Sequence, residues 1–283
     1  MQFQVATELH YEVAQRSTLI LSVHAMETST QKVVREHFHL EPKVQREEFL
    51  SQSGENRLVR VDTGSAKELT VTYTATVATK PQVVRQRDIE GGAIWALPRE
   101  VMPYLFPSRY CQSDRLGRLA WGKFGKIERA YERVVAIAEW IHGNVEYLRG
   151  ATDSATSAFD TVTQRAGVCR DFAHLGIALC RALSIPARYF SGYAYQLEPQ
   201  DFHACFEAFI GNQWYVFDAT HLAPLNGLVR VSAGRDAADA SIATIFGGAF
   251  CQRMMVTAEC LEPGFSPLRQ KQLKHKGITL GGI

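Results

Sequence analysis

The spacing of apolar residues changes along this chain. Up to about residue 97 it favours a period of two. KELTVTYTATVAT (67–79) alternates Val71, Tyr73, Ala75 and Val77 with threonines, as a half-buried strand does. STLILSVHAM (17–26) and KVVREHFHL (32–40) are shorter strand-like runs. Turn signals at Gly54-Glu55-Asn56 and Asp62-Thr63-Gly64 separate such runs. The pattern predicts a small β-rich domain over 1–97, a sandwich or meander.

Residues 98–113 carry Pro98, Pro103 and Pro107 with little periodicity, and read as a domain boundary. The period then becomes helical. KIERAYERVVAIAEWIHGNVEYL (126–148) puts Ile127, Ala130, Val134, Ile137, Ile141, Val145 and Leu148 on one stripe. SAFDTVTQRA (157–166) reads as a shorter helix stopped at Gly167. A third helix opens near Cys169, buries Phe172, Leu175, Leu179 and Leu183, and ends before Pro186. ARYFSGYAY (187–195), DFHACFEAFI (201–210) and QWYVFDAT (213–220) return to strand-like spacing. Helices followed by strands predict an α+β domain over 98–262 rather than βαβ alternation. Residues 263–283, with Arg269, Lys271, Lys274 and Lys276, read as a solvated basic tail.

Two alternating runs flank Gly211-Asn212, a two-residue hairpin signal. With that turn, paired residues sum to 423, so Asp218 lies opposite Cys205 and His203 opposite Thr220. One face then carries Phe202, Ala204, Phe206, Ala208 and Ile210 with Tyr215, Phe217 and Ala219, an apolar core face. The other carries His203, Cys205, Glu207 and Phe209 with Trp214, Val216, Asp218 and Thr220. His203 and Asp218 become diagonal neighbours, roughly 7–8 Å apart or less between Cβ atoms. A slip of one residue would separate them onto opposite faces.

This placement changes how Cys169 reads. A cysteine opening an amphipathic helix is more often structural than chemical. An aspartate beside an imidazole, however, fixes its tautomer and frees the other ring nitrogen to activate a nucleophile. A helix N-terminus and a neighbouring imidazolium both favour thiolate over thiol. Cys169, His203 and Asp218 are therefore the candidate catalytic residues. Arg170, Asp171, His174 and Glu207 are polar and close in sequence, and read as structural.

At these residues the chain resembles the transglutaminase-like superfamily, in particular a bacterial branch proposed to contain cysteine proteases. GVCRDFAHLGIALCRALSIPARYFSGY resembles the family's cysteine motif, helix and following strand. HACFEAF resembles its histidine motif and WYVFDAT its aspartate motif, at spacings of 34 and 15 residues. GRDAADAS (234–241) resembles a further element of the branch, and the β-rich front half resembles its N-terminal region. The resemblance, over about residues 100–260, implies a papain-like α+β core and a Cys169-His203-Asp218 triad. Many members carry Trp where this chain has Cys205, which then lies on the face of His203 and Asp218.

The chemistry so implied is acyl transfer through a thioester, either hydrolysis as by a cysteine protease or amidase, or transamidation, on a protein or peptide substrate. The oxyanion would meet the Cys169 backbone N–H. No cofactor or resident metal is expected; zinc held by Cys169, His203 and Cys205 is the competing chemical reading, against which stands the lack of C-x-x-C or H-x-x-x-H spacing. A noncatalytic peptide-binding module on the same scaffold is the alternative of another class.

The bulk numbers narrow the partners. The chain has 283 residues, 46% hydrophobic and 21% charged, ordinary globular composition. A net charge of +2 recruits neither nucleic acid nor an anionic membrane. MQFQVATELH lacks the basic start and apolar core of a signal peptide, and no run of about 18 apolar residues occurs. Six cysteines without C-x-x-C pairs read as reduced thiols, so the expected location is cytoplasmic.

Overall fold

A computed structural model describes residues 1–281. Seven strands come first: β1 (Gln2–Val13), β2 (Thr18–Leu21), β3 (Gln31–Glu41), β4 (Gln45–Leu50), β5 (Arg57–Asp62), β6 (Glu68–Thr79) and β7 (Gln82–Arg85). Helices follow as α1 (Ser113–Phe124) and α2 (Ala130–Asn144), then short β8 (Glu146–Tyr147), α3 (Ala158–Gln164), short β9 (Ala166–Gly167) and α4 (Cys169–Ala182). The chain ends in β10 (Ala187–Ala194), β11 (Phe202–Ile210), β12 (Gln213–Phe217), β13 (Leu228–Gly234), β14 (Ala243–Phe246), β15 (Ala249–Cys260) and β16 (Lys276–Thr279). The fold class is α+β, as expected.

Two four-stranded sheets, ordered β15-β1-β6-β3 and β14-β2-β5-β4, share one core and form a sandwich. The alternation in β6 is realised: Leu69, Val71, Tyr73 and Val77 are buried, while Thr70, Thr72 and Thr74 are half-exposed. The sandwich is not confined to 1–97, however. Its strands β14 and β15 come from beyond residue 242, and β15 pairs with β1 along most of its length. Both are edge strands that leave Phe246, Phe250, Met254 and Met255 exposed, so their hydrophobic pattern does not announce a buried face.

The basic tail differs from its expectation as well. Lys271, Lys274 and Lys276 do face water, but Leu273, Ile278 and Leu280 are buried, and β16 pairs with β7. A tail read by its charges alone hides these inward positions, because its 3₁₀ turn follows neither helical nor strand periodicity.

The second sheet, β12-β11-β10-β13, is antiparallel throughout, and α4 lies against it. Gly176 allows the contact. A Cβ there would fall 2.5 Å from the Phe206 ring, so any side chain would lift the helix off the sheet. α4 buries Phe172, Leu175 and Leu179 as predicted. α2 stops at Asn144, leaving Leu148 exposed outside the predicted stripe. α3 is terminated by Arg165 in the left-handed region (φ 56°) rather than at Gly167, which pairs within β9 instead. α1 was not predicted; it buries Leu116, Ala120 and Phe124, spaced by four, in a segment diluted by Gly117 and Gly122.

Candidate active site

The β11–β12 hairpin follows the predicted register. Ile210 pairs with Gln213 and Phe206 with Phe217, each pair summing to 423. Gly211 (φ 57°) and Asn212 (φ 66°) both take the left-handed conformation a two-residue turn demands. The face carrying His203, Cys205 and Glu207 is not solvent-facing: all nine positions of β11 are buried.

Asp218 lies one residue past β12. Its Oδ2 accepts a hydrogen bond from His203 Nε2 at 3.0 Å, with both side chains about 1% exposed. Its Oδ1 accepts from the Thr220 backbone N–H (2.9 Å) and hydroxyl (2.6 Å), and Gln270 Oε1 accepts from its own N–H. The carboxylate is thus fixed by neighbours before it meets the imidazole. Burial alone would lower the His203 pKa, but the charge of Asp218 and contacts with Cys205 and Cys169 outweigh it and hold the ring well above 6.5. Burial would raise Asp218, but the imidazolium and the Thr220 hydrogen bonds hold it below 3.8. The two shifts agree on a buried imidazolium–carboxylate pair.

His203 Nδ1 has no hydrogen-bond partner among the described residues. This nitrogen is opposite the one engaged by Asp218, and the Cys169 thiol is near enough to contribute to the ring's protonation. Cys169 opens α4 after Val168, and the Asp171 carboxylate caps that end by accepting from the Val168 N–H at 2.9 Å. The Cys169 N–H has no backbone carbonyl partner among the described residues. The Tyr147 hydroxyl lies near Cys169, and burial together with the Cys169 thiol raises its pKa. Tyr147 is brought there by parallel pairing with Gly167 and by its ring against Phe172. Sequence reasoning missed Tyr147. Its only signal was a tyrosine at the end of a predicted helix.

Cys169 and His203 meet at a cleft of about 330 Å³, walled by Tyr110, Arg170, Tyr189, Ala204, Ala237 and Ser241. A larger cavity of about 550 Å³ lies along Glu55, Tyr104, Arg188 and Trp214 and contains none of the three candidates. Cys169 and His203 both line the smaller cleft.

The neighbouring polar residues have structural partners. His174 is fully buried and its Nε2 accepts from the Ala237 N–H at 3.1 Å, pinning the 234–241 segment against α4. Burial, with Arg170 and Arg181, keeps that ring neutral. Glu207 accepts from Arg188 Nε at 2.7 Å and from Arg230 Nη2. Asp171 also accepts from the Thr152 hydroxyl and from Arg170.

Among the described residues, His203, Cys205 and Asp218 form the group whose ligating atoms could meet a metal, all within 4.8 Å of one another; Cys169 is not part of it. Burial pushes the Cys205 thiol up to about 12, with Asp218 adding to the rise.

A cysteine at a helix head and a histidine–aspartate pair on an antiparallel hairpin are the arrangement of a papain-like α+β core. Residues 1–95 match the bacterial transglutaminase N-terminal domain, and residues 119–219 match the transglutaminase-like superfamily. The crystal structure of a proposed cysteine protease from Cytophaga hutchinsonii is 51% identical, covers 99% of this chain and 97% of its own, and superposes with a TM-score of 0.95. An uncharacterized protein of Mycobacterium leprae is 30% identical over 197 residues, 64% of this chain and 69% of its own. The chain belongs to the transglutaminase-like superfamily, in its bacterial branch. No helix among the described residues is long and apolar enough to cross a membrane.

Proposed function

We propose that this protein is a thiol-dependent acyl-transfer enzyme acting on amide bonds of a protein or peptide. The observation that carries the reading is the buried His203–Asp218 pair, whose Nδ1 has no hydrogen-bond partner among the described residues, beside the cleft that His203 and Cys169 both line. The Cys169 thiolate attacks the substrate carbonyl carbon. Negative charge moves to the carbonyl oxygen, near the Cys169 N–H at the positive end of the helix. The carbon–nitrogen bond then breaks, and His203 delivers its Nδ1 proton to the departing amine. The thioester left on Cys169 is attacked by water, or by a primary amine, as His203 accepts a proton. Water yields a carboxylate and makes the protein a protease or amidase; an amine yields a new amide. Throughout, Asp218 orients the ring and stabilises its charged form.

The small residues Ala204, Ala237, Ala240 and Ala243 along the cleft leave room for substrate main chain close to the thiol. We infer that residues 98–262 carry this chemistry. The front sandwich shares its core with Tyr193, Phe202, Val229 and Val231 of that part.

The test is the rate of iodoacetamide labelling at each cysteine against pH, mapped by peptide mass. Cys169 should label fastest below pH 7 and lose that advantage in His203→Ala. Labelling of Cys169 no faster than the other five would overturn the reading and favour a noncatalytic binding module. Turnover assays with peptides, with and without an added primary amine, then separate hydrolysis from transamidation.

A further inference from the structure

Cys205 has no part in the chemistry proposed above, yet it completes a donor set with two residues that do. We propose that His203, Cys205 and Asp218 form a binding site for a zinc-like divalent cation, and that occupancy reversibly inhibits the enzyme. Nitrogen, sulfur and carboxylate oxygen are the donor types zinc takes, three from protein and one position left open. Metal bonds of about 2.0–2.3 Å put ligand atoms of a tetrahedral site roughly 3.3–3.6 Å apart. Here His203 Nε2 and Asp218 Oδ2 are already 3.0 Å apart, and all three ligand atoms lie within 4.8 Å of one another. Small side-chain adjustments therefore suffice.

The sheet supplies the rest of the site. Cys205 follows His203 by two residues on one strand and so shares its face, and Asp218, the residue just past the Phe206–Phe217 pair, brings its carboxylate to both. Thr220 holds the other carboxylate oxygen, the kind of outer-shell support that orients a metal ligand. Charge balances: one divalent ion enters while the Nε2 proton and the Cys205 thiol proton leave. The ion also replaces the Nε2–Asp218 hydrogen bond, which is how binding would stop turnover. Binding itself does not depend on the proposed activity; the inhibition does.

The test uses the full chain after chelator treatment, in a Cys251→Ser, Cys260→Ser background that removes the more accessible thiols. Cobalt(II) is titrated while thiolate-to-metal charge-transfer absorbance is followed. One equivalent should bind, unchanged in Cys169→Ala, and at least tenfold more weakly in both Cys205→Ala and Cys205→Ser. Thermal melts of the two variants separate lost ligation from lost fold, and the serine variant keeps the side-chain volume. Zinc should slow thioester formation by the apo enzyme, a chelator should restore it, and Cys205→Ser should need at least tenfold more zinc. Absorbance that requires Cys169 and survives Cys205→Ala, or no charge-transfer band at all, overturns the site. Cobalt binding as expected in a chain with no acyl-transfer activity would leave the metal site standing and remove the activity instead.

Discussion

The sandwich and the second sheet are both antiparallel, but they treat polar side chains in opposite ways. In the first half of β6 every second residue is at least half-exposed, so Thr70, Thr72 and Thr74 can turn to water. In β11 nothing is exposed, and His203, Cys205 and Glu207 are buried. A polar group in the first sheet needs no partner; one in the second is costly without one. Glu207 answers with two arginines, His174 with a backbone N–H, and Asp218 with Thr220 and His203. The bare Nδ1 of His203 shares this state with His174 Nδ1, Arg188 Nη2 and Arg230 Nε, but of these four residues only His203 lines the cleft that Cys169 also lines. A sheet covered on both faces makes unused hydrogen-bonding capacity informative; a sheet wetted on one face does not.

The largest expected effect breaks the chemistry and leaves the architecture alone. Cys169→Ala should lower acyl transfer by at least about 10⁴-fold, as loss of a nucleophile does in comparable triads, with an unchanged melting temperature. Next comes the polar interior. Glu207→Gln leaves Arg188 and Arg230 short of a buried counter-charge and should cost about 3–5 kcal/mol, read as a lower urea midpoint. The matching change in the sandwich, Glu47→Gln, breaks an ion pair with Arg60 whose side chains are 57% and 58% exposed, and should leave the midpoint unchanged. Equal losses from the two substitutions would remove the contrast.

The His203–Asp218 pair should also show itself in pH. His203 is held above 6.5, so its contribution to stability is full below that value and is lost as pH rises through the raised folded pKa. Asp218 is held below 3.8, so its contribution is present above that value and is lost as pH falls through the lowered one. The stability difference between wild type and Asp218→Asn should therefore be greatest between about pH 4 and 6.5 and shrink on both sides. A difference independent of pH would mean that the pair is not ionised. The smallest effect is expected at Tyr147: its phenylalanine variant keeps the ring against Phe172 and should alter turnover within about tenfold without moving the urea midpoint.

Much of the site was legible because short-range rules set it. Gly211-Asn212 fixed the turn, the turn fixed the register, and the register put His203 beside Asp218. The start of α4 followed from its apolar stripe. What was not legible depended on distant parts of the chain. Tyr147 reaches Cys169 only through pairing of two-residue strands, too short to leave a periodic trace. Arg188 and Arg230, which make a buried Glu207 tolerable, come from β10 and β13. β14 and β15 resemble solvent-facing edges because that is what they are in the sandwich, and the tail concealed Leu273 and Ile278 among lysines.

The late arrival of β15 has a consequence in time. A ribosome releases the chain from its N-terminus, and β1 and β6 emerge early. The strand that covers the outer edge of β1 ends at Cys260, about 180 residues after β6 is complete. At 5–20 residues per second that is a wait of roughly ten to forty seconds. During it the nascent sandwich displays an open edge, while the thiol-bearing segment is made. The order of synthesis thus makes closure of the front sandwich wait for a strand made long after the one whose edge it covers.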